Sequence, residues 1–363
     1  MDSFDNNYCY SFPAIRAVQA GKPFYIATCP LRIIPKIFSY NEEEVPAELR
    51  AQRTLNKSRI PEMTRYLVDS PKEYVFSALT ASVESESDFK FIEADGINNM
   101  GTLSVPMDSQ MLINDGQHRR AAIEEAIKEN PELGQDNIAV LFFVSEGIER
   151  SQQMFADLNK YAVRPSSSLG TLYDHRDQAS ELARYLSMNA KPFVGYTEFE
   201  RSTISVRSHK IFTLSGIKQA TRALFGKGAK DGFNDEEQKL AEDFWNKLNK
   251  HMIEWQQVQA KTLSAAEFRQ EFITAHGIGL QALAIVGKEI CLLSESEQAE
   301  KFESLKHLNW LKSNSDWSNR AMQHGRLSKA VSNIFLTATE IKRQIGLPIS
   351  SEDLTKEKEL LNA

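Results

Sequence analysis

Chemistry in this chain concentrates in one stretch, Ile113-Asn114-Asp115-Gly116-Gln117-His118-Arg119-Arg120-Ala121-Ala122-Ile123. It reads as the end of a strand, a tight turn and the first turn of a helix. A short polar side chain, Asn114 or Asp115, can cap that helix by accepting from its exposed N–H groups. Gly116 lets the backbone turn and allows an anion or another backbone close approach. Gln117, His118, Arg119 and Arg120 then set donors and positive charge at the positive end of the helix dipole, which suits a phosphate. Two readings stand side by side: a capped helix with solvated arginines, or a phosphate or nucleotide site built from Asp115 to Arg120. His118 has the chemistry of a general base, but no serine, cysteine or carboxylate is tied to it by local spacing, so no hydrolase triad is assigned. Asp115 suits a cap better than a magnesium ligand.

Two basic clusters accompany the turn. Arg50, Arg53, Lys57, Arg59 and Arg65 have Glu62 as the only acid between them, and on a helix the first three share a face. Arg201, Arg207, His209, Lys210, Lys218, Arg222, Lys227 and Lys230 enclose no acid at all. Such runs attract phosphates by releasing counterions, and the hydroxyls of Ser202, Thr203, Ser205 and Ser208 can add contacts. A weaker patch is Arg320, His324, Arg326 and Lys329. Taken together the patches favour binding to the nucleic-acid backbone over ordinary solvated helix faces.

Composition excludes several classes. With 43 basic and 49 acidic residues the formal net charge is -6, so any nucleic-acid role rests on local patches and not on a uniformly basic surface. Cys9, Cys29 and Cys291 are far apart and form no zinc pattern, and an odd, small number of cysteines fits a reducing cytoplasm. Cys29 reads as a small core residue. The N-terminus has no signal-peptide pattern and no run approaches a membrane span, which predicts a soluble cytoplasmic protein. Neither a GxxxxGK[ST] nor a GxGxxG loop occurs, which disfavours a P-loop ATPase or dinucleotide enzyme. Neither a catalytic set, a metal nor a cofactor is assigned, a nucleotide at the turn remaining the open alternative.

The elements that must position these residues fall into two parts. Residues 1–165 read as mixed α/β. Strands are expected at Phe24 to Cys29, Leu31 to Ile34, Tyr74 to Val83, Phe89 to Ile92, Gly101 to Pro106 and Met111 to Ile113. The apolar run Ile138 to Val144 reads as a fully buried strand. Helices are expected from Glu42 to Asp69 and from Gln117 to Asn130. Another runs from Glu149 to Asn159, with Met154, Phe155 and Leu158 inward. Lys160 to Ser168 is a polar connection. Residues 166–363 read as almost all helical: Leu172 to Met188, a helix marked by Ile211, Leu214, Ile217 and Leu224, a stripe Leu240, Phe244, Leu248, Met252 and Trp255, then Phe268 to Leu293 and Leu327 to Ile345. Gly226 to Phe233 is a loop, and Gly346 suits a left-handed cap. The charged tail from Ser350 to Ala363 is expected to fray.

Asn114 to Arg119 contains the DGQHR signature of the DGQHR-domain family. The string Gln52 to Met63 (QRTLNKSRIPEM), with Tyr25 to Phe38, Tyr74 to Thr80 and DGQHRRAAI, extends the likeness over most of the chain and resembles the DndB family of bacterial DNA phosphorothioation systems. A more distant likeness is to the ParB/sulfiredoxin-like fold, where a strand, a glycine turn and an arginine-bearing helix bind phosphate; Gln117 and His118 depart from that pattern. The resemblance implies an α+β protein, with an N-terminal ParB/sulfiredoxin-like domain followed by a mainly helical domain for DNA binding or oligomerisation. It implies a DNA-binding repressor of the DNA sulfur-modification operon, not the sulfur-transfer enzyme. Implied partners are duplex DNA at its own promoter, a second copy of the chain and other sulfur-modification proteins, with no membrane. A ParB-like nucleotide-hydrolysing or DNA-nicking enzyme is the competing reading.

Overall fold

The computed structural model describes residues 8–38, 55–83, 90–107, 111–144, 148–160, 165–229 and 231–362. Within it the chain divides into two compact units, Met1–Val163 and Arg164–Ala363. The protein is α+β, and its largest sheet has seven strands.

The first unit is built on that sheet. Its strands are β1 (Cys9–Gln19), β2 (Lys22–Pro30), β3 (Leu79–Val83), β4 (Lys90–Ala94), β5 (Ile97–Pro106), β6 (Met111–Asp115) and β7 (Asn137–Val144), in the order β4-β5-β1-β2-β7-β3-β6. Every neighbouring pair is antiparallel except β3 with β7. Among the described residues four α-helices accompany it: α1 (Ile34–Ile37), α2 (Ile60–Asp69), α3 (Gln117–Glu129) and α4 (Ile148–Lys160). Leu67 of α2, Ile34 and Ile37 of α1, and Ile123 and Ala126 of α3 are buried in one core with Ala27, Cys29, Ala81, Val140 and Phe142 of the sheet. Burial pushes the Cys29 thiol up to about 12, so it is a core residue and not a nucleophile at neutral pH.

Several expectations are corrected here. Leu31 to Ile34 is not a strand: Pro35 sits in the first turn of α1, where a missing N–H costs nothing, and the run turns into that helix. Of the expected strand Tyr74 to Val83, only Leu79–Val83 is strand, as β3. Strand β7 is buried on alternate residues and half-buried or exposed between them, because its two faces are not equally covered. On α4 the fully buried residue is Ser151, Met154 and Phe155 are half-buried, and Leu158 is 42% exposed. Of the expected helix from Glu42 to Asp69, residues 42–54 lie outside the described residues; the rest contains a short 3₁₀ turn at Lys57–Arg59 followed by α2.

The second unit is helical, with helices α5 (Ser167–Tyr173), α6 (Gln178–Asn189), α7 (Leu214–Phe225), α8 (Asp235–Asn249), α9 (Ile253–Gln259), α10 (Ala265–Glu271), α11 (Gly277–Ile290), α12 (Glu295–Leu305), α13 (Val331–Gln344) and α14 (Ser351–Asn362). Its strands are β8 (Thr197–Glu198), paired with β9 (Phe212–Thr213), and β10 (Met322–Gln323), paired with β11 (Arg326–Leu327). Helix α11 is buried on most of its surface and packs against α7 and α13. Trp245, Trp255, Trp310 and Trp317 are all buried in the core around it.

Two expected long helices are broken. Leu172 to Met188 is interrupted by Asp174 to Asp177, since Asp177 caps a new helix by accepting from the Ala179 N–H at 3.3 Å. Phe268 to Leu293 is interrupted after Glu271 by a 3₁₀ turn and restarts at Gly277. The C-terminal tail is ordered as α14, since Glu357 is buried and paired to Arg320 at 3.2 Å and to Arg343. Leu240 is exposed and stands outside the α8–α9 stripe, the rest of which is buried. Among the described residues no helix is long and apolar enough to cross a membrane.

Candidate nucleic-acid interface and the DGQHR turn

Strand β6 ends at Asp115, and Gly116 carries the chain into α3 with φ of +108°. That left-handed conformation strains any residue with a Cβ, and a Cβ here would also run into the Leu79 side chain. Gly116 is therefore the N-cap, and neither polar neighbour caps the helix. Asn114 is fully buried, and its amide donates to the Ser151 carbonyl of α4 at 3.1 Å. Asp115 pairs with Arg119 one turn along, at 2.7 Å. Gln117 is buried and donates back to the Ile113 carbonyl at 3.3 Å.

The two arginines are committed to the protein around them. Arg119 donates to Ser77 Oγ at 2.6 Å, to the Ala78 carbonyl at 3.1 Å and to Asp115. It locks the turn to the segment that enters β3. Arg120 donates to the carbonyls of Phe38 at 2.9 Å and Pro35 at 3.1 Å, and pairs with Glu124. It holds the end of α1 against α3. One donor is left over: the Arg119 Nε is buried and has no partner among the described residues.

His118 reaches outward from the same turn. Its Nε2 accepts the Asn56 N–H at 3.0 Å. A ring nitrogen that accepts carries no proton, so this atom is occupied as an anchor. Asn56 in turn accepts from the Ser58 N–H at 3.2 Å and the Ser58 hydroxyl at 2.7 Å, which forms the 3₁₀ turn Lys57–Arg59. The DGQHR turn and the KSRIPEM segment, far apart in sequence, are thus fastened together. Lys57 and Arg59 are exposed and have no ion-pair partner among the described residues. Arg65, half-buried on α2, donates to the Pro61 carbonyl at 3.2 Å. Arg50 and Arg53 lie outside the described residues.

The second cluster has a different character. Lys218 and Arg222 both reach Asp177 at the start of α6, at 2.5 and 3.0 Å. Burial alone would raise the Asp177 carboxyl; hydrogen bonds from Lys218 and Ser180 and the two cations outweigh it and hold the carboxyl below its usual range. Lys227 pairs with Glu237 at 2.5 Å and lies over the Phe233 ring at 4.6 Å. Lys210 donates to the Gly195 carbonyl at 2.8 Å. Arg201, Arg207 and His209 are exposed, and neither arginine has an ion-pair partner among the described residues; Lys230 lies outside them. In the third patch Arg320 is spent on Glu340 and Glu357, each at 3.2 Å.

Sequence reasoning missed the anchoring roles of Asn56, Ser77 and Asp177. Asp177 had a local signal, since an Asp before a helical run is a common cap, but its cationic partners are a helix away. Among the described residues no three of His, Cys, Asp or Glu gather where they could hold a metal ion. A family model described as DndB: DNA-sulfur modification-associated matches residues 12–348. No curated protein and no solved structure matches the chain.

Proposed function

Because the chain belongs to the DndB family of DNA-sulfur modification-associated proteins, we propose that it is a DNA-binding transcriptional regulator, a repressor of the genes for that modification. The observation that carries this reading is the pair of exposed cations Lys57 and Arg59, without an ion-pair partner among the described residues and held on a short turn that His118 fastens to the start of α3. Cations that no carboxylate neutralises are the ones able to exchange their counterions for DNA phosphates. Arg201 and Arg207 offer the same chemistry in the helical unit. The strand–glycine–helix turn on a mixed sheet supports a ParB/sulfiredoxin-like first unit, with Asp115 to Arg120 acting mainly as its internal fastening. A homodimer or larger oligomer would match a two-fold symmetric operator.

The test is an electrophoretic gel shift with the promoter of the chain's own modification genes, set against random duplex of equal length. The reading requires tighter binding to the promoter and a fall in affinity with salt. Equal affinity for both duplexes would leave only non-specific binding and overturn the repressor assignment.

A further inference from the structure

The helical unit contains a cavity of about 470 Å³, within the ~300–1,000 Å³ usual for small-ligand sites. It opens between the irregular 201–210 loop and the first turns of α7 and α11. One wall is apolar, made by Ile204, Val206, Phe212 and Leu280. The lining also includes Arg269, His276 and Lys329. None of the lining residues is a carboxylate.

Arg269 is the device that shapes the cavity. Its guanidinium donates to the carbonyls of Ser205 at 3.0 Å, Val206 at 2.9 Å, Ser208 at 2.9 Å, and Lys210. With four carbonyls gathered on one side chain, the 201–210 loop is wrapped over the cavity although it contains no regular structure. Both terminal nitrogens of Arg269 are used in this way, so it is a positioning residue and not a free cation.

Lys329 is in the opposite situation. Its ammonium stands 3.7 Å from where a Cβ on Gly277, the first residue of α11, would lie. It therefore sits at the positive end of a 14-residue helix, and it has no ion-pair partner among the described residues. The residue before the helix, His276, supplies no side-chain cap. Its Nε2 donates instead to the Arg269 carbonyl at 2.7 Å, an oxygen that also accepts from Lys312 at 2.7 Å. Burial first, then Lys312, and further Lys329 and Arg269, push the His276 imidazole down to about 4. A lysine and a helix N-terminus thus meet at the cavity beside an uncharged imidazole, and none of its lining residues is a carboxylate. Such a setting favours an anion.

We propose that this cavity binds a small organic phosphate of nucleotide size. The phosphate is held by Lys329, the first-turn N–H groups of α11 and the Thr203 hydroxyl; the apolar or planar body lies against Ile204, Val206, Phe212 and Leu280. A phosphate fits better than a carboxylate because its several oxygens can take the ammonium, the backbone N–H groups and a hydroxyl together. The phosphate could come from a free nucleotide or from DNA. This assignment does not depend on the repressor reading, since it concerns the cavity alone.

The experiment is calorimetric titration of the full chain with AMP, adenosine and inorganic phosphate, repeated on Lys329→Gln. Lys329 is exposed, so the variant should fold as the parent does. AMP should bind the parent, adenosine roughly tenfold or more weakly, and Lys329→Gln should lose about tenfold in AMP affinity, the effect of one charge-assisted contact. AMP that gives no saturable heat at millimolar concentration, or that binds Lys329→Gln as it binds the parent, would overturn the assignment. So would adenosine binding as tightly as AMP. A competing arm identifies the source: random duplex that displaces AMP marks the cavity as a seat for a DNA phosphate, and duplex that leaves AMP bound marks a site for a free nucleotide.

Discussion

The cations beside the DGQHR turn and those on α7 stand in opposite electrostatic situations. Lys57 and Arg59 project from a 3₁₀ turn, exposed and without an ion-pair partner among the described residues. Lys218 and Arg222 converge on one carboxylate, Asp177, and Lys227 is taken up by Glu237 and the Phe233 ring. A run of basic residues therefore does not measure the positive charge a surface can offer. What decides is which carboxylates the fold brings in from other elements, here from the start of α6 and from α8. The same distinction separates Arg119 and Arg120, spent on carbonyls and carboxylates, from the turn they hold in place.

The comparison breaks most visibly at the spent cations. Arg120→Ala strips partners from the carbonyls of Pro35 and Phe38 and leaves Glu124 unpaired. With its side chain only 13% exposed, the expected loss is about 2–4 kcal/mol in urea unfolding. Asp177→Asn is the next largest. It leaves Lys218 and Arg222, each about four-fifths buried, without their counter-charge and should cost about 1–3 kcal/mol. If that variant unfolds at the parent's urea midpoint, the pairing on α7 is not structural and the contrast fails.

A third prediction sharpens the contrast through pH. His276 titrates at 6.5 in the unfolded chain and at about 4 when folded. Between those values the unfolded chain binds a proton that the folded one does not, so stability falls as pH drops from 6.5 to about 4 and levels below. The expected size is on the order of 3 kcal/mol. His276→Gln, which keeps a donor for the Arg269 carbonyl, should remove this slope from the stability profile of the helical unit. The smallest effect belongs to the free cations: Lys57→Ala and Arg59→Ala should change stability by no more than about 0.5 kcal/mol. A larger loss would mean that these side chains are structural after all.

The strand, glycine turn and helix at Ile113 to Arg120 were legible because each step has a local cause: β-branched and apolar residues, then a residue free to adopt positive φ, then a helix-forming run. The identity of the cap was not. Asn114 and Asp115 both have capping side chains, and only tertiary partners, the Ser151 carbonyl and Arg119, decide that neither is used that way. Helix continuity failed for a related reason. Neither Asp174 to Asp177 nor Phe272 to His276 contains a glycine or proline to mark a stop, and the breaks are set by a cap on Asp177 and by a tight 3₁₀ turn packed beneath α11. The pairing of Glu357 with Arg320 and Arg343 turned an apparently loose tail into a docked helix, and nothing in the local composition of that tail announces it.

The most direct test of the account is the salt dependence of DNA affinity for single alanine variants. Lys57→Ala and Arg59→Ala should each weaken binding and lower the slope of log Kobs against log[salt] by about 1. Lys227→Ala, which removes a cation already paired with Glu237, should leave the slope unchanged. Slopes that stay at the parent's value in the first two variants, or that drop equally in all three, would contradict the claim that unpaired cations beside the DGQHR turn carry the DNA contact.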